Sequence, residues 1–170
     1  MTMNIRQILN IPGTSQDFDF TVPEERLAEV HGYVFDTPVQ VQGRIANHAG
    51  AVVLTMHISV SLLVTCDRCL KETVQAFSYD EEHIVVRALQ DEENEENYVI
   101  AISDSIDIAE TALSDLLLEL PSKMLCKEDC KGLCKKCGKN LNDGACSCNR
   151  EELDPRMAKA LEVFNQFKEV

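Results

Sequence analysis

Six cysteines fall within twenty-three residues, Cys126, Cys130, Cys134, Cys137, Cys146 and Cys148, and a further C-x2-C pair, Cys66 and Cys69, lies upstream. This spacing limits what both segments can fold into. A tetrahedral metal ion takes four thiolates, and a C-x2-C turn folds sharply enough to aim two of them at one ion. The cysteines therefore read as four pairs: Cys66 with Cys69, Cys126 with Cys130, Cys134 with Cys137, and Cys146 with Cys148. The most compact run is 134–148. Gly138, directly after its second cysteine, permits a positive φ that turns backbone N–H groups toward sulfur, and Asn142-Asp143-Gly144 supplies the reversal that returns the second pair. Cys134, Cys137, Cys146 and Cys148 are expected to form one closed zinc site, which is structural because no coordination position is left for water or substrate. Cys66, Cys69, Cys126 and Cys130 are expected to form a second site, the alternative being four reduced cysteines packed together without metal. One or two structural zinc ions follow, and iron is chemically admissible in their place.

Disulfides and redox thiols are the competing readings of eight cysteines. The first twenty residues hold no basic leader followed by an apolar run and a small-residue cleavage site, and no stretch approaches the roughly eighteen apolar residues of a membrane span. A cytoplasmic protein without membrane contact is the expectation, and in that compartment clustered cysteines hold metal more often than they pair. Cys66-Asp67-Arg68-Cys69 has the form of a thioredoxin-like motif, but no alternation of strand and helix surrounds it, so a thiol-disulfide or redox-sensing role for Cys66 and Cys69 stands as the alternative. Other catalytic signatures are absent from the sequence. His31, His48, His57 and His83 are scattered outside any motif with a nucleophile, and the glycines form no phosphate-binding loop. No small-molecule substrate is expected.

The clearest regular element is 51–65, where Val52, Leu54, Met56, Ile58, Val60, Leu62 and Val64 alternate with Val53, Thr55, His57, Ser59, Ser61, Leu63 and Thr65. Period two over that length predicts a long strand with one buried face. With the shorter alternation before it and Asn47-His48-Ala49-Gly50 as the turn, 38–65 reads as an antiparallel hairpin. Further strands are expected over 17–22, 73–89 and 98–102, giving an antiparallel meander. Five acids in 91–97 predict a solvated loop. Ser105 or Asp107 is placed to cap a helix whose Ala109, Ala112, Leu113, Leu116, Leu117 and Leu120 form one stripe, ended by Pro121. Asp154-Pro155 opens a last helix, with Met157, Leu161, Phe164 and Phe167 at helical spacing. The expected fold is thus α+β: an antiparallel sheet or partial β-barrel with one covering helix in a body of 1–122, then a zinc knuckle and terminal helix in a module of 123–170.

Charge is divided along the same line. Residues 123–150 hold seven basic and three acidic side chains, a net of +4 within a chain of −13, so the remainder carries −17. Lys131, Lys135, Lys136 and Lys139 are the candidate contacts to RNA or another partner, by attraction to phosphate. No aromatic residue lies in 123–150, so base stacking is not expected there.

The order of these segments resembles a known family. A β-rich amino-terminal part, the Cys66-Asp67-Arg68-Cys69-Leu70 run, an acidic loop, a helix ending in Leu120-Pro121, the stretch from Asp129-Cys130 to Leu141-Asn142 and a closing Asp154-Pro155-Arg156 are similar to the YceD family of large ribosomal RNA subunit accumulation proteins, in its Cys-rich subgroup. Lys136 stands where proline is expected, which adds charge and leaves the ligands in place. The resemblance implies a non-enzymatic role in the accumulation or processing of large-subunit ribosomal RNA and in ribosome assembly. It implies as partner a precursor RNA or an assembling particle, while the acidic remainder of the chain leaves, as the alternative, binding to a basic ribosomal protein with an indirect effect on RNA.

Overall fold

A computed structural model describes residues 1–88, 98–148 and Met157. The alternation read in 51–65 is realised as β5 (Ala51–Thr65), in which Val52, Leu54, Met56, Ile58, Val60, Leu62 and Val64 are all buried. β4 (Gln40–His48) precedes it, paired antiparallel from Gln40 against Ser59 to His48 against Ala51. Only Ala49 and Gly50 separate the two strands, at φ 54° and 103°. Two positive φ angles match the twist of the flanking strands, and glycine meets the second at no steric cost. Asn47 holds the turn from within: buried at 2 % exposure, it accepts from Gly50 N–H and donates to the Ile8 carbonyl at 2.6 Å.

β6 (Glu72–Val86) pairs with β5 along its length, from Glu72 against Thr65 to Val85 against Val52. β2 (Ser15–Thr21) is the edge strand on the far side of β4. Its Phe18 lies against Gly43, where an added methyl group would come 2.2 Å from the Thr55 carbonyl oxygen, so no larger residue fits. β3 (Val34–Phe35) adds a short pairing to β5. The outermost strand, β7 (Tyr98–Ile100), runs parallel to β6, and this departs from the all-antiparallel meander expected from sequence. Alternation marks a strand but not its direction. The sheet stays open between β2 and β7, so the partial-barrel alternative is not realised.

Three helices occur among the described residues: α1 (Arg6–Asn10), α2 (Glu24–Ala28) and α3 (Ile108–Glu119). The last follows β8 (Ser105–Asp107), which pairs with the initial strand β1 (Thr2–Asn4). Asp107, rather than Ser105, caps α3 by accepting from Glu110 N–H. Burial pushes the Asp107 carboxyl up, but hydrogen bonds from the chain's amino terminus and from Arg26 outweigh it and hold the group at about 2. α3 turns Ile108, Ala109, Ala112, Leu113 and Leu116 into the core with Leu120 behind them. Leu117, expected in that stripe, lies at its border and stays 37 % exposed. The architecture is a sheet-rich α+β body. The acidic loop over 91–97 and the terminal helix over 154–170 lie outside the described residues, apart from Met157.

The chain forms two compact units, Met1–Cys66 with Lys71–Cys126, and Asp67–Leu70 with Lys127–Val170.

Candidate metal centre

The sulfurs of Cys134, Cys137, Cys146 and Cys148 all lie within 4.8 Å of one another. Four thiolates around one zinc at about 2.3 Å stand about 3.8 Å apart, so this group needs only a small contraction to close on an ion. The first pair is set by a knuckle. Gly138 takes φ 71°, its N–H donates to the Cys134 carbonyl at 2.8 Å, and the Cys134 N–H donates to the Lys139 carbonyl at 2.8 Å. Backbone N–H groups of Cys137 and Lys136 point at the Cys134 sulfur and lower its thiol to about 6. Cys148 is pushed up to about 12, first by its hydrogen bond with Cys137 and then by burial and the charge of neighbouring sulfurs. A cluster that favours one anion and resists further ones is the donor set a divalent cation neutralises.

The sulfurs of Cys66, Cys69, Cys126 and Cys130 also lie within 4.8 Å of one another. Cys66, Cys69 and Cys130 are buried, at 0 %, 6 % and 4 % exposure. Their first pair repeats the backbone of the other knuckle: the Cys66 N–H donates to the Lys71 carbonyl at 2.9 Å, and the residue after the second cysteine, Leu70, takes φ 57°. Burial at this depth works against rapid thiol exchange, which needs an accessible thiolate.

Arg68, Gly132, Asn140 and Asn142 support these clusters through contacts that cysteine spacing does not reveal. Arg68 donates through Nη1 to the carbonyls of Cys130 (2.9 Å) and Glu128 (3.2 Å), and its own carbonyl accepts from Leu133 N–H at 3.0 Å. Gly132 gives way to it, since an added methyl group would sit 2.9 Å from the Arg68 oxygen. Asn142 links the two cysteine runs, accepting from Lys131 N–H at 2.9 Å and donating to the Cys130 sulfur at 3.3 Å. Asn140 in turn accepts from Asn142 at 2.8 Å.

Lys131, Lys135, Lys136 and Lys139 are exposed. The Lys139 ammonium donates to the Ala145 carbonyl at 3.0 Å and so braces the loop between the two pairs of its cluster.

The histidines are better connected than the sequence indicates. His83 is buried beside Asp115, its Nε2 2.8 Å from the carboxylate. His57 meets Asp80 through Nδ1 at 2.6 Å and Ser78 through Nε2 at 3.1 Å, the bonding order of a serine-hydrolase triad. Asp80 is 87 % exposed and His57 48 %, however, whereas the carboxylate that orients the histidine of a triad is buried. These three residues sit on the solvent face of β5 and β6, where cross-strand register brings them together.

The family described as "Large ribosomal RNA subunit accumulation protein YceD" matches residues 54–164. The chain belongs to the YceD family. Among the relatives of this chain, YlbN of Bacillus subtilis is 26 % identical over 171 residues, covering 99 % of each chain. Rv2926c of Mycobacterium tuberculosis is 27 % identical over 179 residues, covering 96 % of this chain and 81 % of its own. A chloroplast protein of Arabidopsis thaliana, named large ribosomal RNA subunit accumulation protein YCED homolog 1, is 45 % identical over 49 residues, 29 % of this chain and 15 % of its own. No solved structure matches. No described helix is long and apolar enough to cross a membrane.

Proposed function

We propose that this YceD-family chain is a non-enzymatic factor in the accumulation and processing of large-subunit ribosomal RNA and in ribosome assembly, with zinc bound structurally by two four-cysteine groups. The family match supports the first part and the convergence of eight sulfurs into two sets of four supports the second. Cys134, Cys137, Cys146 and Cys148 hold one ion in this reading, and Cys66, Cys69, Cys126 and Cys130 the other. The ions stabilise a small module, 123–170, that follows a β-rich body of 1–122. Between positions 126 and 148 only Leu133 and Leu141 are sizeable apolar anchors, so metal supplies what hydrophobic burial cannot. Lys131, Lys135, Lys136 and Lys139 make phosphate-directed contact with a precursor RNA or an assembling particle, in the cytoplasm.

Deleting the gene in its own organism and measuring mature large-subunit against small-subunit ribosomal RNA tests this role. The ratio is expected to fall and to be restored by the intact chain. Restoration is expected to be weaker with all four lysines changed to glutamate, a change that leaves every cysteine in place. An unchanged ratio on deletion removes the proposed role.

A further inference from the structure

β6 has the longest open edge among the described residues. β5 covers one side of it from Glu72 to Val85, whereas β7 covers only Ile84 to Val86 on the other. One bond fixes which groups face outward. The Ala101 N–H donates to the Val86 carbonyl at 2.8 Å, on the side away from β5. In an antiparallel ladder, residues that exchange both bonds with a neighbouring strand alternate with residues that turn both groups away. The register of β6 on β5 is unbroken, so the N–H and C=O groups of Val74, Ala76, Ser78, Asp80 and Glu82 point out from the sheet. None of them meets a backbone partner among the described residues.

The side chains along this edge divide into two rows of different chemistry. On the solvent face, Glu72 stands at one end and Asp80 and Glu82 at the other, with exposed Val74, Ala76 and Ser78 between them. On the core face, Phe77 and Tyr79 are half-buried and stacked, with ring centroids 6.5 Å apart. Glu81, on that same face, is held above the usual carboxylate range by burial and by the charges of Asp115 and Glu119. A strand added here sends alternate side chains to the two faces. Every second one comes onto the solvent face, where those toward the two ends of the edge meet the acids, and those between come onto the core face, where the aromatic pair lies at its middle.

We propose that the open edge of β6 over 72–83 docks an extended segment of a basic protein, in which lysine or arginine alternates with apolar residues, as an added strand. Main-chain hydrogen bonds supply affinity in such pairing, and the alternating side chains supply selectivity. A second copy of the chain is disfavoured by its net charge of −13 and by the acids on the edge itself. A nucleic acid would bring phosphate against the same acids. The site lies wholly in the body, so it gives the proposed assembly role a protein-binding surface without depending on the metal sites.

Residue-resolved amide hydrogen exchange on the full, metal-loaded chain tests this. The probes are a peptide of about ten residues alternating lysine with valine, and a control with glycine in place of each valine. In the free chain, the amides of Val74, Ala76, Ser78, Asp80 and Glu82 are expected to exchange fast while those of Gln75, Phe77, Tyr79 and Glu81 are slow. The alternating peptide is expected to slow the first set by roughly tenfold or more, the glycine control is not, and Asp80→Lys with Glu82→Lys is expected to abolish the slowing. Several results overturn the proposal. One is protection of the first set in dilute free protein, which means that the chain covers its own edge. Others are protection that rises with protein concentration alone, which means self-pairing, no change with the alternating peptide, and equal slowing by the control or in the charge-reversed variant.

Discussion

Leu70 takes at φ 57° the left-handed backbone that Gly138 takes at 71° in the other knuckle. A side chain with a Cβ pays roughly 1–2 kcal/mol for that conformation, and Leu70 is 65 % exposed, so it recovers little by burial. Leu70→Gly is therefore expected to stabilise the metal-loaded protein by about 1 kcal/mol, less the extra entropy of glycine in the unfolded chain. Denaturant unfolding checks this, and a loss of stability would show that the leucine side chain makes a contact that outweighs the strain. The cysteine pairs, Gly138 and the turn at Asn142-Asp143-Gly144 were legible in the sequence because ligand spacing and positive φ act over a few residues. Arg68 was not. Its bond to the Cys130 carbonyl joins positions 62 apart, and an arginine between two cysteines carries no local mark of that partner.

Between elements, the pair His83 and Asp115 fastens β6 to α3. The hydrogen bond to Asp115 is the main cause that raises the His83 pKa, against desolvation, and the charges of Asp115 and Glu81 add to it. A histidine whose pKa is raised by folding favours the folded state fully below its unfolded pKa of about 6.5, and that contribution fades as pH rises through the folded value. Stability of the intact chain is therefore expected to decline more steeply above about pH 6.5 than that of Asp115→Asn. Denaturant midpoints measured across pH in both proteins test this, and parallel curves would contradict it. The elements themselves were largely readable. β5 announced itself because one face is buried along its whole length, and α3 because its cap, stripe and terminating proline agree. The parallel direction of β7 was hidden, since direction depends on where the connecting chain returns and not on side-chain alternation. The His57, Ser78 and Asp80 chain was hidden for a related reason: it exists only in the β5 and β6 register.

Across the whole molecule, two kinds of force would share the stabilisation. The body has a contiguous apolar core built from β2, β4, β5 and α3. The cysteine-rich segment has few apolar side chains, and its six cysteines together with Cys66 and Cys69 form two sets of four converging sulfurs. Two bound ions would bring four positive charges to a chain of −13, offsetting thiolates that could not otherwise lie this close together. The central claim is that both sets hold metal, and elemental analysis of protein purified without chelator tests it most directly, alongside the Cys66→Ser, Cys69→Ser double variant. Two zinc ions per intact chain are expected, falling to one in the variant. A single zinc unchanged by the substitution, or no metal in either protein, would contradict that claim.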